Sequence, residues 1–136
     1  MNSTCNDCLS IELQSIQSKR KGTLTPVYNS NTIPFDIKRV YYLYDIPSSS
    51  ERGGHAHKNL QQLIIAVAGS FDVIINDSKE KKIIRLNRPD VGLYLPPMIW
   101  RELKNFSGGS ICLVLASDPY DENDYYRDFI TYKLEK

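Results

Sequence analysis

The chain has 136 residues, 41% of them hydrophobic and 24% charged, and its formal net charge is +1 at neutral pH. These values predict one globular domain over residues 1–136 and argue against a disordered or fibrous chain. Charges of both signs are mixed along the sequence, which argues against nucleic-acid binding. No apolar run approaches the roughly 18–20 residues of a membrane span, and the first residues do not resemble a signal peptide. We therefore expect a cytoplasmic protein with no membrane or nucleic-acid partner.

The cysteines point to a reducing compartment. Cys5, Cys8 and Cys112 are an odd number, which does not suit a disulfide framework. Cys5 and Cys8 form a Cys-x-x-Cys pair, but the sequence places neither further zinc ligands nor a helix start nearby. We predict that this pair lies in a terminal segment without a function, and that Cys112 is a small buried apolar residue.

The predicted elements are short strands separated by turns. In chain order they are residues 11–16, a second strand after a turn within 20–28, then 35–44, the strand with both histidines, 62–67, 70–75, 82–86, 91–95, 100–106 and 110–116. Hairpins are predicted across Ala68–Gly69 and across residues 76–80, and only residues 125–134 have helical character. Many short strands without crossover helices predict an all-β antiparallel sandwich or barrel, with a short helix near the C-terminus.

The stretch 35–44 alternates between two kinds of side chain. Residues two apart in a strand point to the same face, so Arg39, Tyr41 and Leu43 share one face and Val40 and Tyr42 the other. An arginine on the same face as a tyrosine needs an anionic partner if that face is buried.

The segment 52–62 holds the two histidines of the chain, His55 and His57. Strand alternation places both imidazoles on one face. An imidazole has an unperturbed pKa of about 6.5 and so takes or gives a proton near neutrality, and it is also a common metal ligand. The spacing alone leaves three interpretations open: an acid/base pair, a metal site, or a chance pair on a solvated strand.

The spacing from this pair to Gln62 and Gly69 resembles the first motif of the cupins, small jelly-roll barrels that bind ligands inside. A second cupin motif can be placed on Gly92, Pro96, Arg101 and Asn105. In the cupin metal site the Gln62 position is normally Glu and the Arg101 position His. An arginine cannot lose its proton to bind a metal, and its charge repels one. We therefore predict no metal at this site.

Several segments are more specific and resemble the sugar nucleotide 3,4-ketoisomerases, which are cupin enzymes that act on dTDP-4-keto-6-deoxyglucose. The matching segments are residues 33–42, 52–58, 92–102, 113–117 and 120–125. The match is weaker at the start, where Lys21 replaces the usual Arg and residues 26–28 lack the usual Glu.

The resemblance implies a cupin-type jelly-roll barrel, a dTDP-linked keto-deoxysugar as substrate, no cofactor and a homodimer. It also implies that His55 and His57 are the catalytic pair. The product would serve deoxysugar or aminosugar biosynthesis, for lipopolysaccharide or another surface polysaccharide.

The reaction type agrees with the residues available. Moving a ketone from C4 to C3 removes the C3 proton, passes through an enediol and delivers a proton to C4, which suits imidazole and imidazolium. The charge on the O3–O4 edge needs fixed donors, and arginines also suit a diphosphate. We expect Tyr41 as a further catalytic candidate, and the predicted substrate-binding residues are Arg39, Arg52, Gln62, Tyr94 and Arg101. For the tyrosines, packing within a sheet is the alternative interpretation.

Two other functions stay open at this point. A non-catalytic sugar-nucleotide-binding cupin would keep the arginines and aromatic residues but has no need of two titratable groups on one face. A dTDP-sugar 3,5-epimerase is the other, although that family usually pairs a histidine with an acid and a tyrosine. The His-x-His pair favours the ketoisomerase.

Overall fold

A computed structural model describes residues 3–136, with Gly53 described only by its place in a strand. Short strands dominate these residues, and two 3-10 turns, Cys5–Asp7 and Glu122–Asp124, accompany them. The strands are β1 (Leu9–Glu12), β2 (Ile16–Ser18), β3 (Gly22–Leu24), β4 (Arg39–Leu43), β5 (Arg52–His57), β6 (Gln62–Ala68), β7 (Phe71–Asn76), β8 (Lys81–Leu86), β9 (Val91–Leu95), β10 (Trp100–Lys104), β11 (Ile111–Ala116) and β12 (Tyr125–Tyr126), and the helix is α1 (Phe129–Glu135).

Two five-stranded antiparallel sheets form the body of the molecule. The first sheet has the strand order β1-β9-β6-β11-β4, and the second sheet has the order β12-β5-β10-β7-β8. Strands β2 and β3 make a separate two-stranded ribbon. Consecutive strands alternate between the two sheets from β4 to β7 and again from β8 to β11, which confirms the predicted all-β jelly roll.

The main core lies between the two sheets and consists of alternate side chains from each strand. Phe71, Val73 and Ile75 point inward from β7, and Ile64 and Ala66 point inward from β6. Apolar β-branched and aromatic residues fill one face of each pleated sheet, so this layer fixes which residues of β4, β5, β6 and β10 face inward. The candidate site borders this layer, because core residues such as Ile64 and Val114 also line its cavity.

The chain covers both outer faces in part. Leu13, Ile33 and Phe35 pack on Leu63 and Leu115 of the first sheet. The N-terminal segment therefore packs on this chain's own sheet.

Helix α1 covers the second sheet. Its N-cap Asp128 accepts a hydrogen bond from the Thr131 backbone N–H, which satisfies one of the donors that a helix start leaves open. Tyr132 is fully buried against Trp100, and its hydroxyl donates to the Met98 carbonyl at 2.9 Å. No helix among residues 3–136 is long and apolar enough to cross a membrane.

One of the two predicted hairpins is wrong. Strands β6 and β7 lie in different sheets, so the chain crosses between the sheets at Gly69 and forms no hairpin there. Gly69 has φ +68°, and a Cβ there would lie 2.8 Å from the Ser110 backbone. The hairpin over residues 76–80 is confirmed, because β7 and β8 pair with Asn76 opposite Lys81.

The remaining differences concern boundaries. The predicted strand 11–16 is divided between β1 and β2, and the predicted run 35–44 is a strand only from Arg39 to Leu43. Residues 125–126 pair with β5, and the helix begins at Phe129 rather than at residue 125. The tertiary pairing with β5 outweighs local helical preference there.

The three cysteines are free thiols. Cys5 is buried, its backbone N–H donates to Asp77 at 2.9 Å, and burial raises the pKa of its thiol to about 11. Burial likewise raises the pKa of Cys112, which lies in the core as predicted, to about 12. These thiols stay protonated near neutrality and are therefore weak nucleophiles.

Candidate active site

A cavity of about 320 Å³ opens between the two sheets, and we name it the arginine cavity. Its polar lining residues are Arg39, Tyr41, Arg52, His55, Gln62, Arg101, Tyr125 and Arg127. Within the described part of the chain its lining includes no aspartate or glutamate. Four guanidinium groups without a carboxylate in the wall create a positive field that favours an anionic ligand.

Arg101 is the most buried of these arginines, with 2% of its surface exposed. It lies on β10 opposite His55 of β5, and its Nη1 donates to Gln62 Oε1 at 2.5 Å. Its Nη2 has no hydrogen-bond partner among residues 3–136. Burial lowers the pKa of Arg101, but a guanidinium stays protonated at neutral pH. The site therefore contains a buried positive charge with a donor to spare.

Gln62 connects Arg101 to Tyr41. The Gln62 Nε2 group donates to the Tyr41 hydroxyl oxygen at 3.2 Å. Because that oxygen accepts from Gln62, the Tyr41 O–H can itself donate to a ligand. Burial raises the pKa of Tyr41, so the phenol keeps its proton near neutrality.

Arg39 and Arg127 differ in how their charges are balanced. Arg127 forms two hydrogen bonds with the Glu122 carboxylate, at 2.8 and 2.9 Å. The Arg39 guanidinium lies 5.3 Å from the Tyr41 ring centre and 5.7 Å from that of Tyr120, and its Nε has no hydrogen-bond partner in the described chain. Arg39 resembles Arg101 in forming no ion pair within the described chain, although Arg39 also lines a second cavity whose walls include Asp118, Asp121 and Asp124.

The two histidine rings touch, as strand alternation predicts, but they face different spaces. Their centroids are 4.8 Å apart and their planes are almost perpendicular. His55 lines the arginine cavity. His57 is 1% exposed and lines a second cavity of about 490 Å³, which we name the acidic cavity because its walls include Asp118, Asp121 and Asp124.

His57 is held as a neutral imidazole. Burial lowers its pKa far below the ordinary value, and the charges of Arg101, His55, Arg39 and Arg127 lower it further. Its Nδ1 lies 3.3 Å from Asp124 Oδ2, and that carboxylate alone would favour the charged ring. Complete burial and the surrounding cations outweigh this one contact, which lacks hydrogen-bond geometry.

The structure brings most of the predicted site residues to one place. Arg39, Tyr41, Arg52, His55, Gln62 and Arg101 line the arginine cavity, and His57 lies directly behind His55. Tyr94 is not brought there. Leu93 and Leu95 take the inward positions of β9, so Tyr94 points outward, packs near Phe35 and donates from its hydroxyl to Gln61 at 2.7 Å.

Three residues near the histidines were not among the predicted site residues. The Tyr125 ring lies 5.1 Å from His55 and 4.3 Å from His57. Arg127 lines the arginine cavity, and Asp124 approaches His57. Strand β12 places all three by pairing Tyr125 with His57. Residues 120–125 match the ketoisomerases, but their aromatic side chains favoured packing in the sequence, and no local pattern shows that this segment returns to β5.

The positions that hold metal ligands in cupins contain residues that bind each other here. Gln62 accepts a hydrogen bond from Arg101, and the guanidinium charge opposes a cation between them. Within residues 3–136, no three His, Cys, Asp or Glu side chains converge in a way that could hold a metal ion. A metal-free reaction stays a prediction.

Comparisons with known proteins agree on one family. The family described as FdtA, WxcM-like, C-terminal, matches residues 6–136. The TDP-4-oxo-6-deoxy-alpha-D-glucose-3,4-oxoisomerase of Aneurinibacillus thermoaerophilus is 43% identical over 113 residues, which cover 83% of this chain and 81% of that protein.

Two solved structures have the same fold. A mutant of the 3,4-ketoisomerase QdtA from Thermoanaerobacterium thermosaccharolyticum, in complex with TDP-4-keto-6-deoxyglucose, superposes with a TM-score of 0.93 at 42% identity over 97% of this chain and 95% of that chain. The WlaRB TDP-quinovose 3,4-ketoisomerase from Campylobacter jejuni gives a TM-score of 0.90 at 46% identity over 94% of this chain and 98% of that chain.

Proposed function

The chain belongs to the FdtA family, and from this premise we propose that it is a sugar nucleotide 3,4-ketoisomerase. It converts dTDP-4-keto-6-deoxyglucose to a dTDP-3-keto-6-deoxyhexose. The observation that carries the proposal is the arginine cavity, in which an imidazole, a protonated phenol and unbalanced guanidinium groups face one space. A proton acceptor and a proton donor beside an anion site suit this isomerisation of a dTDP-sugar.

The arginines account for the binding of the nucleotide. Arg39 has no ion pair within the described chain and the exposed Arg52 lines the same cavity, so both can form charge-assisted hydrogen bonds with a diphosphate. Arg101 lies deeper, beside Gln62. It therefore stabilises the negative charge that develops on the O3–O4 edge of the sugar.

His55 and Tyr41 supply the proton transfers. His55 takes the proton from C3 while the Tyr41 hydroxyl gives its proton to O4, which forms the enediol. The Tyr41 phenolate then takes the proton from O3, and His55 returns a proton to C4. Each group ends in its starting state, and no proton is gained or lost. His57 does not line the arginine cavity among the described residues, so we assign the carbon chemistry to His55.

The activity is tested with dTDP-4-keto-6-deoxyglucose in deuterated water, followed by NMR of the product. We expect the 3-keto isomer with deuterium at C4, and a loss of about 10²–10⁴-fold in kcat for His55→Asn. Deuterium at C5 with inversion there would indicate a 3,5-epimerase instead. Binding of the nucleotide without exchange at any carbon would indicate a sugar-nucleotide-binding protein.

The same assay tests the predicted absence of a metal. Because Gln62 and Arg101 occupy cupin ligand positions, we expect prolonged treatment with a chelator to leave kcat within about twofold of the untreated value. A loss of turnover that zinc or iron restores would contradict this expectation.

The assembly is proposed to be a homodimer in the cytoplasm, with a product that serves deoxysugar or aminosugar biosynthesis for a surface polysaccharide. The outer face of the first sheet supports the dimer. Val40 and Tyr42 of its edge strand β4 are more than half exposed, and Tyr42 lies opposite Leu113 of β11. A groove of about 450 Å³ also borders Leu113, and its lining combines apolar residues such as Ile65 and Val67 with the charged Arg88 and Asp90. A surface of this kind commonly binds another protein, and we assign it to a second copy of the chain.

A further inference from the structure

His57 and Asp124 take no part in the proton transfers that we assign to His55 and Tyr41. His57 lies between His55 and the acidic cavity and is almost fully buried. Neither of its ring nitrogens has a hydrogen-bond partner in the described chain, although Asp124 Oδ2 is 3.3 Å from Nδ1. A buried imidazole that faces one carboxylate needs an explanation beyond packing.

Asp124 is fixed by the backbone that it binds. Its Oδ1 accepts from the Asn59 N–H at 2.9 Å and its Oδ2 from the Leu60 N–H at 3.2 Å. Its own carbonyl accepts from the Lys58 N–H at 2.8 Å. The turn that follows β5 therefore orients the carboxylate, and β5 itself carries the ring that the carboxylate faces.

This contact decides where the single proton of a neutral His57 lies. With the proton on Nε2, the Nδ1 lone pair would face the Asp124 carboxylate at 3.3 Å, and the two would repel. With the proton on Nδ1, the positive end of the N–H dipole lies near the carboxylate, which is attractive even without hydrogen-bond geometry, and Nε2 is left as an acceptor. The guanidinium groups of Arg101, Arg39 and Arg127 also act on the ring and supply no acceptor for that proton, while His55 is the other group near it.

We propose that Asp124 is a positioning residue that holds His57 as the neutral Nδ1–H tautomer, and that this fixed ring supports His55 when His55 gains a proton. The proposal rests on the proposed function, because it requires His55 to become charged beside Arg101 during turnover. A neutral ring with a carboxylate behind it balances that new charge, whereas a second imidazolium would oppose it. Asp124 itself does not touch the sugar.

The tautomer is measured directly, by 15N NMR of the imidazoles at pH 7. The chain has two histidines, so a His55→Asn sample assigns the signals of His57. We expect the wild type to show His57 as Nδ1–H. The signals of an Nε2–H tautomer or of an imidazolium would overturn the proposal, and this result does not depend on the enzyme's substrate.

Asp124→Asn tests the consequence for turnover. Its amide can donate to Nδ1, so we expect His57 to change to the Nε2–H tautomer and kcat to fall by about 10–100-fold with little change in KM. The matched control is Asp118→Asn, which removes the same charge from the same cavity without an ion-pair contact to His57. We expect the control to keep both tautomer and kcat.

Two outcomes of the variant would overturn the proposal: a changed tautomer with unchanged kcat, or a lower kcat with an unchanged tautomer. An equal loss of kcat in the control would also do so, because it would indicate a general charge effect. Thermal unfolding shows whether the variant keeps its fold. If Asp124→Asn does not fold, the tautomer of His57 in the wild type alone decides whether the proposal holds. An absence of ketoisomerase activity in the wild type would refute the proposed function and leave the tautomer assignment intact.

Discussion

His55 and His57 share one face of β5, yet their environments differ. His55 borders a cavity that can admit a ligand, whereas His57 is 1% exposed and lies among cations. Sequence alternation predicts that the rings are neighbours. It does not predict which ring is buried, because the burial of His57 depends on Tyr125 and Asp124, which return from about 70 residues further along the chain.

The burial of His57 predicts how stability depends on pH. Its pKa in the folded state is lowered from 6.5, so below pH 6.5 the unfolded chain binds a proton that the folded protein does not. The free energy of unfolding therefore falls as the pH falls, by about 1 kcal/mol per unit between pH 6 and 5 for this group. We expect urea unfolding of His57→Asn to show a shallower dependence on pH in this window than the wild type. Equal slopes would show that His57 is protonated in the folded protein.

Replacing Arg101 is expected to affect the stability and the activity of the protein differently. Arg101→Met removes a buried cation without an anionic partner in the described chain, a gain of about 1–4 kcal/mol, but leaves the Gln62 oxygen without its donor, a cost of about 1–3 kcal/mol. Because the two contributions are of similar size and opposite sign, we expect the free energy of unfolding to change little. We expect kcat/KM to fall by about 10²–10³-fold, because the proposed donor to the enediol edge is lost. A variant that is both destabilised and fully active would contradict this role.

At the scale of elements, the sequence predicts strands well and their partners less well. Alternation in β4 correctly places Arg39 and Tyr41 on the inner face. Gly69 was interpreted as a hairpin turn, but here the chain passes from the first sheet to the second. A glycine with positive φ suits either geometry, so only the pairing of β6 with β9 and β11 decides between them.

The crossing at Gly69 makes a prediction about stability. Its φ is +68°, and an added Cβ would lie 2.8 Å from the Ser110 backbone, so Gly69→Ala introduces both strain and a clash. We expect a loss of about 1–3 kcal/mol in the free energy of unfolding. The matched control is Gly108→Ala in a nearby loop, where an added Cβ would meet no atom within 4 Å. Chemical denaturation of both variants measures the difference, and equal stabilities would show that the crossing tolerates a side chain.

For the whole molecule, the fold and the family follow from motifs that are local in sequence, such as the histidine pair with Gln62. The exposed surfaces cannot be predicted from such motifs, because they depend on which segments of the chain cover which sheet. Ile11, Leu13 and Val27, for example, pack on this chain's own first sheet, and β4 is left as an exposed edge with Tyr42 on its outer face.

The exposed edge strand β4 leads to a prediction about the dimer interface. A glutamate on the outer face of β4 would place a charge in the proposed dimer interface, so Tyr42→Glu is expected to weaken the dimer by at least about 2 kcal/mol, or roughly 30-fold in Kd. The matched control is Ile83→Glu, because Ile83 is 63% exposed on β8 of the second sheet, away from this face. Light scattering at micromolar concentration should show twice the chain mass of 15.6 kDa for the wild type and the control, and a lower mass for Tyr42→Glu. A monomeric wild type would refute the dimer, and a Tyr42→Glu variant that stays dimeric would move the interface to another face.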